Sequence, residues 1–217
     1  MNPINTYIDH TQIKATTTPE EISQLCKEAV VHQFYAVCIA GFYTAFAKAE
    51  LEKTSVKIAT VIGFPLGADT TATKVFETQE AIANGTHEID MVLNIGVLKA
   101  GYLKQVKEDI AAVRKASQNE VLKVIFENCY LTEQEKRNAC QICLDTGVDF
   151  IKTSTGFGTG GATVKDIKLI KEEVANRIKI EASGKIKTLE TAIKPSSSTH
   201  YIIKAKQYEY PYRSQKW

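Results

Sequence analysis

This 217-residue chain lacks a charge of one sign: 27 Lys and Arg face 25 Asp and Glu, a net charge of +2. So even a balance gives no footing for nucleic acid or an acidic membrane surface as partner. No stretch approaches the run of about 20 apolar residues that a membrane span needs. The opening MNPINTYIDHTQIK is too polar to read as a signal peptide. Glycine is absent after Gly184, so the last part of the chain offers no glycine-rich loop. No G-x-G-x-x-G is expected to follow a strand, which weakens the open dinucleotide-binding alternative. Cysteine is sparse and odd in number, at positions 26, 38, 129, 140 and 143. That usage suits reduced thiols and a cytosolic protein. Cys140 and Cys143 form a lone C-x-x-C without a second pair, so zinc is not expected and two half-buried thiols on one helix face are.

What is present is a soluble globular composition, 44% hydrophobic and 24% charged. Short β-rich runs alternate with amphipathic segments. The strand candidates are Tyr7–Thr11, Tyr35–Ile39, Lys57–Phe64, Glu88–Asn94, Leu122–Asn128, Asp149–Ser154 and Ile178–Ser183. The helical patterns are Pro19–Gln33, Thr71–Asn84, Tyr102–Ser117, Thr132–Thr146, Thr163–Ala175 and Thr188–Ile193. Thr132-Glu-Gln-Glu135 reads as a capping box, and Gly85 and Gly147 as helix stops. Repeating strand–helix units of this kind build parallel sheets, and the expected form is an α/β TIM (β/α)8 barrel. The barrel is assigned to residues 1–192. Residues 193–217 form a divergent segment in which Tyr201–Lys206, rich in β-branched and aromatic residues, is suited to close the ring.

Lys152, in Phe150-Ile-Lys-Thr-Ser-Thr-Gly156, sits in an apolar strand that runs out into a polar, glycine-ended loop. A buried lysine must find a partner, reach water or lose its proton, and a neutral lysine amine condenses with carbonyls to a Schiff base. Lysine's usual exposure favours the plainer reading of a strand end that reaches water. Nearly every other strand end also carries a polar group: Asp9, Thr11, Cys38, Asp90, Glu127, Thr155 and Glu181. That is the pattern of a pocket for a polar small molecule at the mouth of a barrel.

YIDHT (7–11), TVIGFPLGA (60–68), FETQEAIANGTHEIDMVLNIG (76–96), FIKTSTGFGTGGATV (150–164) and ASG (182–184) together resemble the deoxyribose-phosphate aldolase family. The resemblance implies a class I aldolase without metal or other cofactor. It implies reversible cleavage of 2-deoxyribose 5-phosphate to acetaldehyde and glyceraldehyde 3-phosphate. It matches Lys152 to the Schiff-base lysine and Asp90 to the aspartate of the proton relay. Asp9, Thr11, Cys38 and Thr155 then line the substrate pocket, and Gly156, Gly184 and Lys187 lie on its phosphate side. The partners implied are sugar phosphates and aldehydes, with no nucleic acid and no membrane.

Two departures stand out. The family's seventh strand reads V-K-A-S-G-G, whereas here it is Ile180-Glu-Ala-Ser-Gly-Lys185. Glu181 thus replaces a relay lysine, and a carboxylate beside an amine stabilises the ammonium where a second cation would favour the neutral form. Reduced turnover is expected, and the alternative is an inactive relative that only binds sugar phosphate. The C-terminal segment also lacks the family's glycine- and serine-rich phosphate loop. A barrel left open there would expose two strand edges and invite self-association, so a homodimer is an expected assembly.

Overall fold

The computed structural model describes residues 3–186 and the strand at 201–206. Eight parallel strands close into one barrel in the order of the sequence. They are β1 (Ile8–Gln12), β2 (Ala36–Ala40), β3 (Lys57–Ile62), β4 (Glu88–Val92), β5 (Val121–Ile125), β6 (Phe150–Lys152), β7 (Lys179–Ala182) and β8 (Tyr201–Lys206). The helices are α1 (Pro19–Val31), α2 (Thr44–Glu50), α3 (Thr71–Ala83), α4 (Ile95–Lys99), α5 (Leu103–Ser117), α6 (Glu133–Thr146) and α7 (Val164–Val174). The expected helix Thr188–Ile193 lies outside the described residues.

Local chemistry sets the helix starts. Thr18 and Glu21 form a reciprocal capping box with Pro19 in the first turn of α1, and Thr132 with Glu135 repeats the box on α6. Gly147 ends α6 in the left-handed region, at φ +69°. Strand alternation then sorts the side chains. On β4, Ile89 and Met91 join an apolar layer with Leu122, Ile151 and the helix residues Val106, Ile110 and Ile170. Glu88 and Asp90, between them, carry their carboxylates to the lysines of the barrel interior.

Closure depends on β8. It pairs with β1, Asp9 opposite Lys204, and with β7, Glu181 opposite Ile202. The divergent segment therefore supplies the closing strand that its composition suits, and both edges of the sheet are paired.

Several expected boundaries move. The strands expected to reach Phe64, Asn128 and Ser154 end earlier, at Ile62, Ile125 and Lys152. Helix α2 was not expected at all; at seven residues it is too short for a clear period. Gly156 to Gly161 follows β6 with glycines at the G-x-G-x-x-G spacing. The closed ring removes the open-sheet switch point where that motif would bind a dinucleotide. Cys140 and Cys143 are fully buried rather than half-buried, and burial pushes the Cys140 thiol up to about 12. None of the five cysteines is in a disulfide, and among the described residues no group of three or more His, Cys, Asp or Glu is arranged to hold a metal ion.

A buried ion pair locks α3 to α5: Lys74, with no exposed surface, donates to Asp109 Oδ2 at 2.7 Å. Removing one partner of such a pair leaves an uncompensated buried charge. Asp109→Ala should cost about 3–5 kcal/mol of unfolding free energy, read from urea denaturation. A loss below about 1 kcal/mol would contradict this account of the pair.

Candidate active site

Four adjacent strands and β1 project ionisable groups into the barrel. β6 contributes Lys152, β5 Lys123, β4 Glu88 and Asp90, β7 Glu181 and β1 Asp9; each is at most 1% exposed. Register places them together, with Lys152 opposite Glu181 and Asp90 opposite Lys123.

Lys152 Nζ donates to Asp90 Oδ2 and lies 2.6 Å from Glu181 Oε1. Lys123 Nζ lies 2.9 Å from Glu181 Oε2, 2.6 Å from Asp9 Oδ2, 2.6 Å from Glu88 Oε2 and 3.4 Å from Asp90 Oδ1. Glu181 and Asp90 thus each bridge the two lysines. Tyr35 Oη closes the far side by donating to Glu88 Oε1 at 2.7 Å.

The electrostatics follow from burial and pairing. Burial by itself would lower the Lys152 amine, but the Asp90 and Glu181 carboxylates outweigh it and hold the ammonium well above the ordinary lysine range. Lys123 is raised in the same way by Asp9, Asp90, Glu181 and Glu88. Among the described residues two lysines face four carboxylates, a surplus of acid that favours a proton on the carboxyl raised furthest. That group is Asp9. Burial raises it, Lys123 pulls it down, and Glu181 and Glu88 push it up again, leaving it at about 8.

Most of the residues singled out in the sequence meet here. Lys152, Asp90, Glu181 and Asp9 are in direct contact or share Lys123. Thr11 lies buried on β1 with its hydroxyl on the Asp9 carbonyl at 3.1 Å. Cys38 Sγ is 3.7 Å from Asp90 Oδ2. Thr155 is committed to the scaffold: its amide and its hydroxyl both donate to Glu127 Oε2. Gly156 and Gly184 take positive φ at the ends of β6 and β7. A Cβ on Gly184 would come within 3.1 Å of both Gly161 Cα and Ser154 Cβ, so the two loops meet across glycine. Lys187 lies outside the described residues.

Lys185 adopts φ +59°. A left-handed conformation costs a lysine roughly 1–2 kcal/mol. Its amine reaches the Thr159 carbonyl at the surface, not Lys152. Lys123, Glu88 and Tyr35 escaped the sequence reading. Their signal was there in the i, i+2 acids of Glu88-Ile-Asp90 and in a lysine flanked by Leu122 and Val124.

Asp9 gives this cluster a pH signature. Its folded value lies above its unfolded one, so between about 4 and about 8 the native state holds the extra proton and stability falls as pH rises. Asp9→Asn cannot ionise and removes that contribution. The urea midpoint of the parent should therefore fall relative to the variant's between pH 5 and about 8.5. Parallel profiles would contradict a protonated Asp9.

Comparison with known proteins agrees with this geometry. The chain is 50% identical over 190 residues to the deoxyribose-phosphate aldolase of Streptococcus equi subsp. zooepidemicus, covering 88% of this chain and 86% of that one. An aldolase designated QR15 superposes with a TM-score of 0.90 at 36% identity, over 94% of this chain and 92% of that one. A tetrameric deoxyribose phosphate aldolase from Aeropyrum pernix gives a TM-score of 0.86 at 25% identity, over 94% and 86% of the two chains. Residues 4–198 match the DeoC/LacD family aldolase model, and the chain belongs to that family.

Proposed function

We propose that this chain is a Schiff-base aldolase that cleaves 2-deoxyribose 5-phosphate reversibly to acetaldehyde and glyceraldehyde 3-phosphate, at a reduced rate. One observation carries the reading: a fully buried lysine amine lies between two carboxylates at the end of a barrel strand. The substrate comes from the names of relatives that are half identical over most of both chains.

In this reading the unprotonated Lys152 amine attacks the substrate's terminal aldehyde carbon. Water leaves, and an iminium remains. A base takes the proton of the hydroxyl on the third carbon, the bond between the second and third carbons breaks, and its electron pair passes into the iminium to give an enamine. Glyceraldehyde 3-phosphate departs. The enamine takes a proton at the second carbon, and hydrolysis returns acetaldehyde and the free amine. Asp90, bonded to Lys152, is placed to move these protons. Asp9 and Thr11 fit the hydroxyl side, and Gly156, Gly184 and Lys187 are assigned to the phosphate end.

Glu181 supports the reduced rate. It bonds Lys152 as an ammonium, so each turnover must first remove a proton that the site holds tightly. The same residue favours a second reading, a sugar-phosphate binder without turnover. Residues 1–192 form the catalytic unit in this account, and 193–217 supply the closing strand. Five cysteines without a disulfide, four of them buried, fit a cytosolic location, and the tetrameric relative supports self-association, as a homodimer or larger. Among the described residues no helix is long and apolar enough to cross a membrane.

Borohydride reduction in the presence of acetaldehyde or deoxyribose 5-phosphate, followed by peptide mapping, should place an adduct on Lys152. Bound ligand with no adduct would favour the binder. Glu181→Lys should raise kcat/KM for cleavage by at least about tenfold, the equivalent of ~1.4 kcal/mol. An unchanged rate would reject the assigned effect of Glu181.

A further inference from the structure

Lys152 is fully buried, and an aromatic pair stands among the loops that follow the strands. Phe64, in the loop after β3, and Phe157, in the loop after β6, meet edge to face with ring centroids 5.4 Å apart and planes at 86°. Strands β3 and β6 stand three places apart on an eight-membered ring, so this contact joins facing arcs of the barrel mouth. Phe64 packs inward with Ile13 on Cys38, Ala59 and Val61. Cys38 in turn reaches Asp90, the partner of Lys152. Below the pair Cys38, Asp90 and Lys152 have no exposed surface, while Phe157 above is 52% exposed.

The main chain around Phe157 is pinned. Its amide donates to Thr155 Oγ1 at 3.0 Å, and Ala162 N donates to the Ser183 carbonyl at 2.9 Å. Gly158 is seated so closely that a Cβ there would lie 2.8 Å from the Glu127 carboxyl carbon. With the backbone held, the ring is the part free to swing, and aromatic side chains have few torsions to change. One edge-to-face contact is a weak latch.

We propose that Phe64 and Phe157 form a gate between solvent and Lys152, and that the bulk of the Phe157 side chain sets which aldehydes pass it. Small aldehydes need only a partial swing of the ring, whereas branched or long-chain aldehydes must displace it. This inference concerns access, and it rests on the aldolase reading only for the identity of what passes.

The test uses the full-length chain and needs no turnover. Cys38 lies beneath the gate, Cys129 is exposed, and Cys140 and Cys143 are buried in the outer layer. Iodoacetamide labelling followed site by site should show Cys129 reacting readily throughout. Phe157→Ala should speed Cys38 labelling at least tenfold with Cys140 and Cys143 still protected, and Phe157→Trp should leave Cys38 slow. An unchanged Cys38 rate in Phe157→Ala would overturn the gate. So would a joint rise at Cys38, Cys140 and Cys143, which reports general loosening. In the catalytic arm, Phe157→Ala should shift kcat/KM at least fivefold toward hexanal over acetaldehyde, and an unchanged ratio would overturn the size filter. The two readings fail separately. Labelling that responds without any imine in the parent removes the aldolase and leaves the gate; imine formation with unresponsive labelling removes only the gate.

Discussion

The Glu181 carboxylate, shared between Lys152 and Lys123 inside a closed barrel, is the interaction around which the site is built. A charge moved from water to such an interior costs several kcal/mol unless matched, so none of these groups is tolerable alone. The barrel meets the requirement by register. Six ionisable residues from five strands come within ion-pair reach, and the imbalance of charge is relieved by a proton on Asp9. The ring must be closed for this to hold. β1, which carries Asp9, and β7, which carries Glu181, are joined only through β8 on that side.

The same interaction decides the chemistry. A lysine nucleophile needs its neutral form, and two adjacent carboxylates oppose that. Among the described residues Lys123 supplies a positive charge that acts the other way on Lys152, but it is itself enclosed by Asp9, Glu88, Asp90 and Glu181. Exchanging a lysine for glutamate at position 181 therefore changes more than one contact. Lysine there would leave three lysines facing three acids among these six residues, whereas glutamate leaves two facing four, and the amine follows.

Much of the fold was legible in the residues because local and long-range signals agreed. The Thr132–Glu135 box, the stop at Gly147 and the alternation in Glu88-Ile-Asp-Met all point to the elements observed. The closing strand was legible in the composition of Tyr201–Lys206. Lys152 and Asp90 could be found because they sit at strand ends within specific motifs. Lys123 was missed: its flanks Leu122 and Val124 carry a signal, but a lysine in mid-strand reads as solvent-facing until the register shows which way it points. Thr155 reads as a pocket residue from its motif, while its hydroxyl's bond to Glu127, 28 positions away, is one that no local pattern reveals. The Phe64–Phe157 contact joins loops 93 positions apart and has no sequence signal of its own.

The protonation state of Lys152 is the point on which the account turns. Its side chain carries an NMR-observable amine, and selective ¹³Cε labelling of lysine with assignment by Lys152→Arg would follow it from pH 6 to pH 11. The account requires a fully protonated Lys152 up to at least its ordinary lysine value, with release at lower pH once Glu181 is replaced by lysine. A neutral Lys152 amine at pH 7 in the unaltered chain would contradict it.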